Sequence, residues 1–353
     1  MKLRATLPAG VQALLFGSAA RLRKLEAELS AELEARGFRE AVLPMVDYFA
    51  PYEPLLAPAA RAELYRFADR DGELLALRSD FTPMLARLLA PHLAALELPL
   101  KLFYRGDVVR CPERGAQSEV EQHQIGGELL GSEGEGPALE REAALACARL
   151  LALATGGRAH LVLGFAGVLD DLLVAAVGRE RAPELARAVA RRERGAARLG
   201  ASSPTAGTAS GGAAAAGAVA VQTAIGEILD QGSPRAGEAL GVRGAAALAR
   251  LEELRRELAR LEPTVAVTID LAEFADFSTL AIAAATGESG GRDFRSYYDG
   301  LVLRAYLPGR ARPVASGGRY DALFRKLGAE VAAVGFSIRL DALTEPRIQE
   351  ELS

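Results

Sequence analysis

Two extended segments, 101–110 and 119–130, flank a short, polar and charged loop at 111–118. No helix-length pattern separates them, so any fold of this chain has to place two strands in succession. Further strand-like runs follow at 159–165, 264–271, 300–307, 313–317 and 331–338. Most of these strands do not alternate one for one with helices, which disfavours a doubly wound parallel fold. The expectation is an α+β fold: an antiparallel sheet flanked by helices, with a helical insertion.

Helical signals fit around that sheet. Ser18 is a candidate N-cap, Leu22, Leu25, Leu29 and Leu33 recur at helical spacing, and Gly37 offers a stop. A strand over 38–46 ends near Pro44, and 61–78 reads as a hairpin turning at 69–72. Helices are expected over 81–96, with Pro83 in the first turn, over 139–154, and from about Leu340. Between 167 and 261 the texture becomes Ala/Leu/Arg helices. Within it, 201–220 is Ala/Gly/Ser/Thr low complexity, read as a flexible loop or loose helix connection. The resulting division is a core in two parts, 1–166 and 263–353, around a helical insertion at 167–262.

Composition narrows the function classes. Half the residues are hydrophobic and 25% are charged, an ordinary soluble balance. A net charge of -4 gives no global pull toward nucleic acid or anionic lipid. The two cysteines, Cys111 and Cys147, lack metal or CxxC spacing and fit a reduced cytosol. No signal peptide is read at the start. The apolar stretch 161–177 is interrupted by Asp170 and Asp171 and falls short of a membrane span. The histidines His92, His123 and His160 stand far apart, so no metal site is expected.

Four constellations carry candidate chemistry. In a strand, Gln122, Gln124, Gly126 and Glu128 share one face. They form either a polar shelf with a gap over Gly126, where Glu128 counters a positive group, or a solvated strand face. Asp80, before Thr82 and Pro83, reads as a ligand contact or as a helix N-cap. Gly317-Gly318-Arg319-Tyr320-Asp321 allows close backbone approach or a strand-ending turn. Tyr297-Tyr298 reads as half-buried packing or as a hydroxyl reaching a ligand.

In order along the chain, these pieces resemble the catalytic domain of histidyl-tRNA synthetase, a class II aminoacyl-tRNA synthetase. The helix from Ser18 and the segment to Pro44 look like the class II dimer-interface motif. Phe103-Tyr104-Arg105-Gly106, Arg110 and His123-Gln124-Ile125-Gly126-Gly127-Glu128 look like the second motif and its histidine-specific continuation. Gly317-Gly318-Arg319-Tyr320-Asp321 looks like the second histidine signature, and Ala333-Val334-Gly335-Phe336 opens the third motif.

The departures are informative. Ala342 stands where the synthetases' third motif has an ATP-holding arginine. Asp293 stands at the arginine of an element that assists amino-acid activation, unless extra sequence at 277–292 shifts the register and brings Arg292 or Arg295 there. Loss of such cations removes electrostatic stabilisation from a phosphate-bearing transition state. The chain also ends at Ser353, where a synthetase would continue into an anticodon-binding domain.

This combination, with Arg78-Ser79-Asp80-Phe81-Thr82-Pro83, is similar to the regulatory subunits of ATP phosphoribosyltransferase, synthetase paralogues in histidine biosynthesis. The resemblance implies a cytoplasmic, non-catalytic subunit with no cofactor. It would be required by a short-form catalytic subunit and would take part in allosteric inhibition by histidine. L-histidine would lie among Asp80, Thr82, Gln124, Glu128, Tyr298 and Tyr320, with Arg110 as an anion contact. Asp80 and Thr82 suit the α-amino group, Glu128 and the tyrosines the imidazole, and Gln124 the carboxylate or amino end. It further implies a homodimer through the first motif within a hetero-oligomer, and neither tRNA nor a membrane as partner. Two alternatives are a synthetase-like enzyme activating histidine with ATP, suggested by Arg110, and an amino-acid sensor with some other partner.

Overall fold

A computed structural model of the protein describes residues 7–56, 58–111, 119–193, 212–235, 237–274 and 298–344. Helix α1 (Phe16–Ala35) buries Leu22, Leu29 and Leu33, and it ends before Gly37, whose φ of +83° disfavours any side chain. It starts ahead of the expected cap. Ser18 lies inside the first turn, where it accepts from Arg21 at 3.2 Å instead of capping the helix. The expected strand over 38–46 is divided. β1 (Arg39–Glu40) joins one sheet and β2 (Val46–Tyr48) another, with Pro44 between them lacking the N–H a ladder needs.

After α2 (Pro58–Ala62), the expected hairpin forms from β3 (Arg66–Ala68) and β4 (Leu74–Leu77). Asp69 Oδ1 accepts from the Asp71 and Glu73 amides at 2.9 Å, and Gly72 takes a φ of +86°. These strands and β2 make a three-stranded antiparallel sheet in the order β2-β4-β3. Helix α3 (Phe81–Leu89) is shorter than expected because the chain tightens into a 3₁₀ turn over Ala90–Ala95.

The long pair β5 (Leu100–Val109) and β6 (Glu121–Gly131) follows, in register from Leu100 opposite Leu130 to Val109 opposite Glu121. Next come α4 (Gly136–Thr155), β7 (His160–Phe165) and, among the described residues, the helices α5 (Val168–Val177), α6 (Ala182–Ala190), α7 (Gly212–Gln231) and α8 (Gly241–Leu261). Residues 212–220, expected to form a loop, are helical here; alanine's high helix propensity accounts for it. The rest of that low-complexity run, 201–211, lies outside the described residues. The chain closes with β8 (Ala266–Ile269), β9 (Leu301–Tyr306), β10 (Ala315–Arg319), α9 (Asp321–Lys326), β11 (Ala332–Arg339) and α10 (Leu340–Thr344).

Eight strands form the main sheet in the order β1-β5-β6-β11-β10-β9-β7-β8. Its centre is antiparallel, as expected, and a parallel pair closes each edge, β1 with β5 and β7 with β8. One face is apolar. Ile125 and Leu129 of β6 share a continuous buried cluster with Leu29 and Leu33 of α1 and Leu150 and Leu151 of α4. Each such leucine contributes about 1.5–3 kcal/mol by its burial. The same cluster includes Leu172, Leu185, Ile225 and Leu251, so α5–α8 pack into one core with the sheet. The other face of β6 carries Gln122, Gln124, Gly126 and Glu128. No helix among the described residues is long and apolar enough to cross a membrane. Cys111 and Cys147 are free thiols, and burial pushes Cys147 up to about 12.

One polar cluster sits between α1 and the sheet. His123 Nδ1 lies 2.6 Å from Asp107 Oδ1, and its Nε2 lies 3.2 Å from Glu26 Oε1. Burial pulls the imidazole pKa down, but the hydrogen bonds and charges of Asp107 and Glu26 outweigh it and raise it above 6.5. The stability His123 contributes is therefore complete below its unfolded pKa and is lost as pH rises through the raised folded value. Replacing His123 with Gln should remove that loss. Chemical denaturation from pH 6 upward should show a smaller fall in stability for His123→Gln than for the parental chain.

Candidate functional site

The site begins at the turn into α3. Arg78 fixes it, donating to the carbonyls of Leu43 at 2.7 Å, Pro44 at 3.0 Å and Asp107 at 2.7 Å, with its guanidinium 3.9 Å from the Phe81 ring centroid. Asp80 then caps α3 by accepting from the Thr82 amide at 3.0 Å. The cap and the proximity to a site are compatible, because the same turn aims the Thr82 hydroxyl at β6. It donates to Glu128 Oε1 at 2.6 Å.

Glu128 is the centre of the site. It is 1% exposed, and the Tyr320 hydroxyl donates to its Oε2. Burial pushes its carboxyl up to about 8, reinforced by the negative Asp80 and opposed by hydrogen bonds from Thr82, Tyr320 and Tyr104. At neutral pH the unliganded carboxyl is thus mostly protonated. A positive group placed against it would favour the ionised form and release that proton.

Glycines make room for this arrangement. Gly335 lies opposite Glu128 on β11, and any Cβ there would overlap Glu128 Oε2. Gly318 lies opposite Gly335 on β10, and a Cβ there would come within 2.6 Å of the Tyr298 ring. Gly317 and Gly318 therefore sit inside a strand, not in a strand-ending turn: close approach is what they allow. Gly126 corrects another expectation. Its missing side chain leaves no open gap, because Tyr104, directly across the ladder, fills the space with its hydroxyl end. Tyr104 is fully buried and stacks on Phe81 at 4.1 Å between centroids.

Tyr104 is the wall of the site that sequence reading left out. The signal was present, since a tyrosine placed opposite a glycine fills the glycine's space, but it required the β5–β6 register. Tyr298 has its pKa raised by burial, with Asp80 and Glu128 adding to the effect. Of the expected residues, Asp80, Thr82, Glu128, Tyr298 and Tyr320 gather at one place. Gln124 is four residues from Glu128 along β6, about 13 Å at strand rise. It is buried and donates to Gln122 at 3.2 Å. Arg110 stands at the flank, its Nε donating to the Ser79 carbonyl at 3.0 Å. A cavity opens beside Asp80 and Arg110, lined also by Met84, Leu55 and Leu64, and the Glu128 centre does not line it. The hydrogen-bonded centre is the better candidate, since it holds the convergent polar groups.

Among the described residues, the end of β11 presents only a paired cation. Ala342 is buried in α10, and Arg339 is paired with Glu119 and, at 2.9 Å, with Asp341. Asp293, Arg292 and Arg295 lie outside the described residues. Among the described residues, no cluster of His, Cys, Asp and Glu could hold a metal ion. The arrangement suits hydrogen bonding to a small polar ligand with a ring or a positive group.

A family model described as histidyl-tRNA synthetase matches residues 10–280 and 289–343. A protein of Symbiobacterium thermophilum named ATP phosphoribosyltransferase regulatory subunit is 35% identical, over 98% of this chain and 81% of its own length. A protein of the same name from Anaeromyxobacter dehalogenans is 32% identical, over 96% of this chain and 90% of its own. Among solved structures, an ATP phosphoribosyltransferase regulatory subunit/histidyl-tRNA synthetase from Bacillus halodurans aligns with a TM-score of 0.73. It is 22% identical, over 98% of this chain and 83% of its own. Histidyl-tRNA synthetase of S. aureus aligns at 0.57 with 17% identity, over 96% of this chain and 72% of its own. These two likenesses bear on the fold.

Two outcomes follow from the buried carboxyl. Between the ordinary 4.5 and the raised value near 8, folded Glu128 keeps a proton that the unfolded chain releases, so its contribution to stability falls as pH rises. Denaturation across that range should show a flatter profile for Glu128→Gln. Gly335→Ala should cost about 1–3 kcal/mol by overpacking, and measurably less in a Glu128→Ala background where the overlapping oxygen is gone.

Proposed function

Because this chain belongs to the histidyl-tRNA synthetase family, with ATP phosphoribosyltransferase regulatory subunits as relatives along nearly its whole length, we propose that it is such a regulatory subunit. It is non-catalytic, acts in histidine biosynthesis and sits in the cytoplasm. A short-form catalytic subunit depends on it, and L-histidine bound to it takes part in feedback inhibition. One observation carries the reading. The buried Glu128 centre, with Thr82 and Tyr320 in place, occurs in the same chain as Ala342 at the position of the synthetases' ATP arginine.

In this reading Glu128 meets the imidazole, with Tyr298 and Tyr320 beside it. Asp80 and Thr82 take the α-amino group, and Gln124 and Arg110 lie toward the carboxylate. The core comprises 1–166 and 263–353 around the 167–262 helices, and α1 with β1 forms a homodimer contact inside the hetero-oligomer. No tRNA partner belongs to it, in keeping with the net charge of -4.

Calorimetry with L-histidine tests the pocket. The parental chain should bind, and Glu128→Gln and Tyr320→Phe should each weaken binding about ten-fold or more, the usual cost of a lost hydrogen bond to a charged group. A phosphoribosyltransferase assay tests the role. The short catalytic subunit should gain activity when this chain is added, and histidine should then inhibit it. Failure to raise that activity would sink the proposal. The synthetase-like alternative, favoured by Arg110 at the site's flank, predicts histidine-dependent ATP–pyrophosphate exchange instead.

A further inference from the structure

A second buried carboxylate reaches the loop that carries Tyr320. Glu140, on α4, is 4% exposed. Its Oε1 accepts from the Leu301 amide at 3.0 Å and lies 3.8 Å from the Arg319 guanidinium, while its Oε2 meets Arg250 of α8. Arg319 donates to Asp321 Oδ2 at 2.9 and 2.6 Å, and Asp321 Oδ1 accepts from the Ala333 amide at 2.8 Å. Arg319 and Asp321 bracket Tyr320, whose hydroxyl donates to Glu128. Two further glycines clear the space. A Cβ on Gly300 would overlap Glu140 Oε1, and one on Gly136 would overlap the Arg319 guanidinium.

The charge balance makes α8 part of this arrangement. Three carboxylates meet here: Asp299 is paired with Arg325 at 3.1 Å, and of Glu140 and Asp321 Arg319 offsets only one. Arg250 supplies the other positive charge, and it comes from a helix that contributes nothing else to the ligand site. Taking it away would leave a buried group with one excess negative charge, relieved only if Glu140, whose pKa burial already raises, takes up a proton or the network rearranges. The other cation on Glu140 is Arg319, next to Tyr320, so a change at Arg250 falls on it.

We propose that Glu140 is a positioning residue for the ligand pocket, and that through Arg250 it couples occupancy of that pocket to the seating of α8. Binding a ligand against Glu128 orders Tyr320, Arg319 and Glu140 in turn, and so strengthens the grip on Arg250. Through the same contacts a partner that reseats α8 changes the pocket, as reciprocity between coupled sites requires. This inference rests on the reading that histidine fills the pocket, and it adds where that occupancy is felt.

The test uses the full chain with Arg250→Ala, Tyr320→Phe and their combination. Arg250 is 39% exposed, so its replacement should be tolerated better than a change at the buried Glu140. Arg250→Ala should weaken histidine binding about three- to ten-fold, the scale of energetic coupling between contacting networks, and should add little in the Tyr320→Phe background. Histidine should slow hydrogen exchange in α8 of the parental chain and leave it unchanged in Arg250→Ala. A folded Arg250→Ala variant with parental histidine affinity overturns the inference. So does additivity of the two substitutions in the stability of the ligand-free chain, a measurement that holds whether or not histidine is the ligand. Absence of histidine binding by the parental chain overturns the pocket assignment instead.

Discussion

A carboxyl with almost no access to water has to be fully hydrogen-bonded or neutral, and Glu128 meets both conditions in the unliganded site. Much of the surrounding sheet follows from that requirement. Thr82 reaches it because Asp80 caps α3, and Asp80 sits there because Arg78 pins the turn to β5 and to the 43–44 carbonyls. Tyr320 reaches it from the start of α9. Gly335 exists to leave room for its oxygen, Gly318 for the ring of Tyr298, and Gly126 for Tyr104. Three adjacent central strands, β6, β11 and β10, give up side-chain packing and backbone stability at these glycines. That is acceptable here because buried aromatic rings from neighbouring elements occupy the space.

The two faces of the main sheet divide the labour. On the apolar face, α1, α4 and the helices from α5 to α8 share one core, which fixes the strands rigidly enough to hold a polar centre on the opposite face. Glu140 and Arg250 bridge between these layers, since they reach from α4 and α8 to the loop beside the site. Such a polar bridge is directional, which hydrophobic packing alone is not.

Several features were legible in the sequence. The α1 leucines and Gly37, the Asp69–Gly72 hairpin, the Asp80 cap and the long β5 and β6 segments all carry local signals that depend on a few neighbouring residues. The motifs around Gln124, Glu128 and Tyr320 also identified the family before any geometry was known. Errors arose where local signals compete with tertiary contacts. Low complexity over 212–220 pointed to a flexible loop or loose helix connection, but the segment is helical, as alanine's propensity allows. For Gly317 and Gly318 a turn and close approach both stayed open, because sequence does not show which ring will cover a glycine.

By itself the sequence determined the α+β class, the order of most elements, the family and the residue types around a polar pocket, because these follow from periodicity, turn chemistry and ordered motifs. Only the tertiary structure decided that Tyr104 closes the space over Gly126, that Glu128 is buried deeply enough to hold its proton near neutrality, and that Arg250 balances Glu140. Each of these depends on strand register or on contact between residues far apart in the chain. Burial and charge pairing are set by what surrounds a group in space, and a linear pattern carries no record of that surrounding until the chain is folded.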